Sequence, residues 1–543
     1  MTDDADKGVG NRKSPLIYLA ILAIVQLVIY VFLTNLSEKF GIDGDHKLRP
    51  IRLVLVLLAS AFGLHLLSLL MAIRLPDTKQ LAWGVIGIAI VFRIVVLFSQ
   101  PIQEVDIYRY IWDGAVANKG VSPYRYPPQQ IALAAGAPDR DDGDISRLAD
   151  MVVADEGLHE VLRRVHFGQL PTVYPPISQV VFRVSDLLTP DGVSVDTRVF
   201  VMKTLIVLYD IGVLVLLCLL LIHVGMHRAW CITYGWSPLV IKEFANSGHL
   251  DSIAVFLMMA AVVICVTRST KFAIISSSIV LGLAFGAKLF PIVLAPLLGI
   301  YIWKQSGAKM MLSWCAGFVV VAGISFAPMV LARLDAPPEQ MDGLKTFLTR
   351  WEINDLVFMA VEENLRPEGA VAGQVPLWFA ATPDRFRKSV MWSATAWTGD
   401  EERTPFLLTR ALLLGLFGVI SLWLCYRVWR TPEAICESAF LALAWFWFLA
   451  PTQNPWYWIW ALPLVPFVRQ RVWLLVSGLT LVYYCRFWFE YHGGSWGPYH
   501  GVALFDFVIV WLEFAPFLLL LAVDRLWTRK KSFEKKIVEE STQ

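Results

Sequence analysis

Glu104-Val105-Asp106 places two carboxylates two residues apart, just past an apolar run. Such a pair can share a divalent cation, or one member can act as a general base while the other tunes it. Asp106 is assigned as the base, with Glu104 assisting it or helping to hold a metal. The plainer alternative is that both carboxylates cap or solvate a helix start, where Asp is favoured by the backbone dipole. The continuation argues for chemistry. Tyr108, Arg109, Tyr110, Asp113 and Gly114 wind around a short helix and give it an aromatic and cationic character suited to a sugar and a phosphate.

Further clusters share that character. VYPPISQVVF (173–182) carries Tyr174, and FANSGHLD (244–251) sets His249 and Asp251 two apart at a helix start, where they can bind phosphate or a metal. A hydrogen-bonded structural histidine is the competing reading. Lys288 in GAKLFP (286–291) interrupts an apolar stretch running from Leu281 to Trp303. An intramembrane cation marks a partner or a substrate, whereas a snorkelling lysine is the bland alternative. Arg350, Glu352, Asn354 and Asp355 in RWEIND (350–355) can contact donor or acceptor, though a loop ion pair has the same signature. PTQNPWYW (451–458) supplies Trp456 and Tyr457, the ordinary residues of an interfacial belt, beside Gln453 and Asn454, which suit a sugar platform. A seventh cluster, EYHGGSW (490–496), completes the set. The seven cysteines lie in or beside apolar runs without CxxC or Cys/His spacing, which argues against a disulfide framework or a zinc site.

The elements that must position these residues are membrane helices. With 57% hydrophobic residues, 17% charged residues and a mean hydropathy of +0.57, the 543-residue chain reads as an all-α polytopic membrane protein. A net charge of +2, scattered between apolar runs, gives no reason to expect a nucleic-acid partner. The polar first 14 residues and the long run from Ser14 to Thr34, with no small-residue cleavage site, predict a retained helix. Candidate spans fall near 15–34, 51–73, 82–99, 199–223, 229–245, 250–267, 272–287, 289–304, 310–331, 405–427, 435–450, 455–468, 471–489 and 503–523. That is a bundle of about 12–14 helices, the shorter ones expected to be broken, tilted or half-buried against their neighbours.

The expected organisation is a tail with three helices (1–99), a first large loop (100–198), a helical block carrying HLD and Lys288 (199–331), a second large loop (332–404), the C-terminal helices (405–524) and a basic tail (525–543). The stretch 177–188 has a character that can lie flat on a membrane, and the acidic run 139–144 reads as a solvated loop. With both termini cytoplasmic, the short inner connections hold eleven basic residues, against Lys39, Lys47, Arg49 and Lys288 on the short outer ones. In that orientation all seven polar clusters face the outer side of the cell or inner membrane and are expected to converge on one site.

The order DIYRYIWDG, GVSPYRYPP, VYPPISQ, NSGHLD, GAKLFPIVLAP and NPWYW resembles integral-membrane glycosyltransferases of the GT-C superfamily, near the polyprenol-phosphate-mannose-dependent alpha-mannosyltransferases, over about residues 90–465. The resemblance implies a multi-helix fold whose first large outer loop holds the catalytic carboxylate, which falls on Asp106, together with inverting transfer and a lipid-phosphate-linked sugar donor. The two helices before residue 82 and the 332–404 insertion depart from the pattern, so the acceptor is left as a cell-envelope lipid, glycan or protein. Physically, a donor activated by its phosphate needs a base for the acceptor hydroxyl and positive charge for the departing phosphate. Asp106 is assigned the first role, and Lys288 with Arg109 or His249 the second. A flippase for lipid-linked sugars is the main rival, and a non-catalytic envelope scaffold a second.

Overall fold

The computed structural model describes residues 7–137, 143–334, 343–367, 381–428 and 431–541. Apolar runs become helices wherever local signals permit. Thr78, Ser194, Thr270 and Thr431 each accept a backbone N–H from the first turn of the helix they precede, and Gly225 ends Val195–Val224 in a left-handed conformation at φ 75°.

Among the described residues, nine helices are long and apolar enough to cross a bilayer: Pro15–Phe40, His46–Ala72, Lys79–Leu97, Val195–Val224, Ala308–Leu334, Thr404–Arg427, Pro432–Leu449, Arg471–His492 and Val502–Leu526. Two shorter apolar helices, Asp251–Thr267 and Lys271–Ala287, pack between Val195–Val224 and Ala308–Leu334. The remaining expected spans are irregular. The 229–245 stretch breaks into a 3₁₀ turn, two short α pieces and the π-turn Ile241–Asn246, and 289–304 starts as 3₁₀ turn Phe290–Leu294. The 455–468 stretch is a single turn, Pro455–Trp458, followed by 3₁₀ segment Leu462–Phe467. Pro238, Pro291, Pro463 and Pro466 sit in these breaks, each removing a backbone donor. Residues 231–254 and 455–468 are buried throughout, so their non-helical backbone is covered by protein rather than lipid.

Polar staples tie the core together. Arg93 on Lys79–Leu97 donates to Asp210 on Val195–Val224 at 2.5 and 3.1 Å, and to the Gly235 carbonyl at 2.7 Å; the Tyr234 hydroxyl donates to Asp210 at 2.7 Å. Both charges are fully buried.

The first large loop folds into helices Asp106–Asn118, Pro128–Ala135, Gly143–Ala154, Glu156–Arg163 and Pro176–Leu188. Asp106–Asn118 crosses Pro176–Leu188 so closely at Gly114 that a Cβ there would collide with the Phe182 carbonyl. Val180, Val184, Leu187 and Leu188 form an exposed apolar stripe along Pro176–Leu188, the character of a helix lying on a membrane surface. In the second insertion, Gly343–Arg350, Val357–Leu365 and Asp384–Thr398 are helical. A short parallel bridge joins Ile353 to Thr452: the Ile353 N–H donates to the Pro451 carbonyl at 2.9 Å, and the Gln453 N–H to the Ile353 carbonyl at 3.0 Å. Of the sequence expectations, the acidic run as far as 142, Arg430 and the side chains of the basic tail beyond 526 lie outside the described residues.

Candidate active site

Asp106 begins its helix at the end of a connection held rigidly from behind. Asn246, on the π-turn, accepts the Ile102 N–H at 3.0 Å and donates to Ser99 Oγ and the Gln100 carbonyl, each at 2.7 Å. Gln103 in that connection has φ 69°, a left-handed conformation costly for a residue with a Cβ. The strained turn lies three residues before Asp106, and the π-turn secures the connection that leads to it, the setting where such irregularities concentrate.

Asp106 lines a partly open cavity. Its polar end is built by Tyr174, Lys288, Asn454, Trp456, Tyr457 and Trp460. Leu344, Phe347, Leu413, Leu414, Phe417 and Phe446 line an apolar extension between the second insertion and the helices Thr404–Arg427 and Pro432–Leu449. Lys288 donates to both oxygens of Asp251, at 2.7 and 2.6 Å, and its ammonium lies 4.4 Å from the Tyr457 ring centre. Trp460 Nε1 also donates to Asp251, at 2.6 Å, and stacks on Phe290 at 4.2 Å. Asp251 is thus wholly buried and saturated, and the Lys288 charge is matched.

Behind Trp456 lies a second ionisable group of residues. The His249 ring stacks on Trp456 at 4.0 Å and its Nε2 sits 3.2 Å from Glu243. Tyr484 donates to Glu243, and Lys242 donates to Tyr484 at 2.6 Å and to Ser247 at 2.9 Å. Glu104 faces this cluster rather than the cavity, and its Oε1 is buried without a hydrogen-bond partner. Burial pushes the Glu104 carboxyl up to about 7, with Lys242 and His249 pulling it down and Asp106 and Glu243 pushing it up. Among the described residues, no group of three or more His, Cys, Asp or Glu has the arrangement to hold a metal ion.

The residues singled out in the sequence therefore separate into three layers. Asp106, Tyr174, Lys288, Asn454, Trp456 and Tyr457 line the cavity, with Asp251 and His249 directly behind it. Tyr110 supports Tyr174 edge to face at 4.9 Å while stacking on Phe182 at 4.7 Å. Arg109 and Asp113 are not in the lining: they pair with each other at 2.9 Å, Arg109 also donating to the Leu170 carbonyl and Gln179 donating to Asp113. Burial raises the Asp113 carboxyl, and Arg109 opposes that rise. Asn354 donates to the Gln453 carbonyl at 2.9 Å and to Glu513 at 3.1 Å, and Gln453 donates to the Phe448 and Ala450 carbonyls at 3.0 Å, so both act in the stitch behind the wall. Arg350 is exposed at the end of its helix, while its neighbour Trp351 lines the cavity. All the motif clusters except EYHGGSW contribute to the cavity or its backing; Tyr491 of that one accepts from Arg49.

Sequence reasoning passed over Lys242, Glu243 and Arg410. The first two are adjacent charges inside the apolar run 229–245, the same signal that drew attention to Lys288. Arg410, which lines the cavity, lies near the start of an apolar span, where a cation reads as an interfacial anchor.

The family model described as alpha-(1->6)-mannopyranosyltransferase, N-terminal domain, matches residues 32–304, half of the chain. This range contains Glu104, Asp106, His249, Asp251 and Lys288 but ends before the aromatic wall at 454–460. No curated protein and no solved structure shows a significant match. The apolar helices, the cavity at their polar end and the matched family agree: the chain belongs to the alpha-(1->6)-mannopyranosyltransferase family, of GT-C type, and is a multi-pass membrane glycosyltransferase.

Proposed function

We propose that the protein transfers a sugar, mannose or another hexose or pentose, from a polyprenyl-phosphate-linked donor to a cell-envelope lipid, glycan or protein acceptor on the outer face of the membrane. The observation that carries this reading is the two-part cavity: a carboxylate among aromatic rings at one end, and an apolar extension between membrane helices at the other. Aromatic faces and an amide suit a sugar, and an apolar channel suits a prenyl chain arriving within the membrane plane. No nucleotide site is required, because the phosphate already activates the sugar.

In this reading Asp106 takes the proton of the acceptor hydroxyl as its oxygen bonds to the anomeric carbon. The bond from that carbon to the phosphate oxygen breaks, its electron pair stays on the phosphate, and the configuration inverts. Trp456, Tyr457, Tyr174 and Asn454 hold the sugar, and the Lys288–Asp251 pair fixes the floor on which it rests. Glu104 and His249 tune the electrostatics behind that floor. The two termini lie on the cytoplasmic side, as the distribution of basic residues favours.

The test presents purified protein in liposomes with a mixed acceptor pool and either polyprenyl-phosphate-linked or nucleotide-linked radiolabelled mannose. The expected outcome is label transfer from the lipid-linked donor alone. Transfer from the nucleotide-linked donor, or movement of lipid-linked sugar across the bilayer without any transfer, contradicts the proposal.

A further inference from the structure

Among the described residues the cavity lining contains two cations, and they are in different electrostatic states. Lys288 is neutralised by a two-pronged ion pair with Asp251. Arg410 has no hydrogen-bond or ion-pair partner among the described residues, although it is only partly exposed and sits on a membrane-spanning helix. A half-buried guanidinium facing a cavity without a counter-charge is costly unless something else supplies the charge. Among the described residues, the one carboxylate in the lining, Asp106, belongs to the polar end.

The position of Arg410 on its helix identifies the class of missing partner. Arg410, Leu413, Leu414 and Phe417 follow i, i+3, i+4, i+7 spacing, so one face of Thr404–Arg427 presents a cation followed by an apolar stripe, and all four line the cavity. Phe446 continues the stripe on the neighbouring helix Pro432–Leu449. Leu344 and Phe347 face the same space from the second insertion. A ligand complementary to this face has one compact anion joined directly to a long hydrocarbon chain, which describes a prenyl phosphate. Guanidinium suits that anion because its planar fork gives two parallel hydrogen bonds to phosphate oxygens and is more weakly hydrated than an ammonium.

We propose that Arg410, rather than Lys288, holds the phosphate of the lipid-linked donor, from the cavity wall that also carries the apolar stripe; this rests on the donor assigned above. The role extends into the reaction. The donor phosphodiester carries one negative charge, and the departing prenyl phosphate carries a second, left by the electron pair of the broken glycosidic bond. A cation fixed at that oxygen binds the transition state more tightly than the ground state, so its loss lowers kcat as well as raising KM.

The experiment measures the thermal stabilisation of purified wild-type, Arg410→Gln and Arg410→Lys protein by undecaprenyl phosphate, undecaprenol, inorganic phosphate and phosphatidylglycerol, alongside transfer kinetics. Wild type is expected to respond to undecaprenyl phosphate and not to the uncharged prenol, inorganic phosphate or phosphatidylglycerol. Arg410→Gln is expected to bind undecaprenyl phosphate at least about tenfold more weakly and to lose about tenfold or more in kcat/KM, with its ligand-free melting temperature unchanged or raised and Arg410→Lys intermediate in affinity and kcat/KM. Equal binding of undecaprenyl phosphate by wild type and Arg410→Gln overturns the inference alone. An equal response to phosphatidylglycerol reduces Arg410 to a general lipid anchor and also overturns it. A wild type that ignores undecaprenyl phosphate overturns the donor assignment and this inference together. If Arg410→Gln does not fold, Arg410→Lys decides: retained stability with unchanged affinity and kcat/KM counts against the proposal.

Discussion

Glu104 and Asp106 look alike in the sequence and are placed in different surroundings. Asp106 opens onto the cavity, whereas Glu104 is directed at Lys242, His249 and Glu243 behind the aromatic wall. With its carboxyl raised from 4.5 to about 7 in the fold, Glu104 favours the folded state while protonated. That contribution is fully present below about pH 4.5 and is lost as pH rises through about 7. Wild-type stability in detergent is therefore expected to fall across this window, by at most about 1.4 kcal/mol per pH unit from this group. Glu104→Gln should lack that slope and gain on wild type above pH 7, as melting curves at stepped pH will show; superimposable pH profiles would contradict this reading of Glu104. The sequence revealed the carboxylate pair but not the division of labour, because Lys242 and Glu243 approach from a segment about 140 residues away. Arg109 and Asp113 were equally prominent in sequence, and their i, i+4 spacing allows the ion pair they form; only the packing of Asp106–Asn118 on Pro176–Leu188 shows that they lie outside the cavity lining.

Long, uniformly apolar helices were legible because an unbroken apolar run of bilayer-spanning length needs no tertiary context. The short spans 229–245 and 455–468 were expected to be broken or half-buried, and they are both; what was not legible is the form of the breaks, because their prolines and π-turn produce short pieces that survive only where the bundle covers them. Those irregular pieces carry Asn246, Lys242, Glu243 and the aromatic wall, so the least legible elements hold the site together. The regular helices they rest on are joined by the buried Arg93–Asp210 pair. Removing one partner leaves an uncompensated charge in the core, so Asp210→Ala is expected to cost about 3–5 kcal/mol. Reduced expression and a lower melting temperature, with no change in the pH dependence of any residual activity, are the expected signs. A fully stable Asp210→Ala protein would show that the pair does not brace the bundle.

At the scale of the whole molecule, separated clusters converge. Motifs spread from residue 104 to 458 meet around one cavity, and they do so because the first loop, the HLD turn, the break after Lys271–Ala287 and the 451–458 turn all emerge at the same end of the bundle. Alternation of spans with basic connections made that common face readable from sequence; the apolar extension and Arg410 depend on how Thr404–Arg427 packs against its neighbours, which no local pattern encodes. The central claim is that this cavity is where a sugar changes hands and that Asp106 drives the exchange. Its most direct test compares single-turnover transfer from radiolabelled polyprenyl-phosphate mannose by wild type and Asp106→Asn, with donor binding measured on the same preparations. Loss of a general base predicts a rate lower by roughly 10²–10⁴-fold with donor affinity within a few-fold of wild type. Turnover by Asp106→Asn at the wild-type rate would contradict the account.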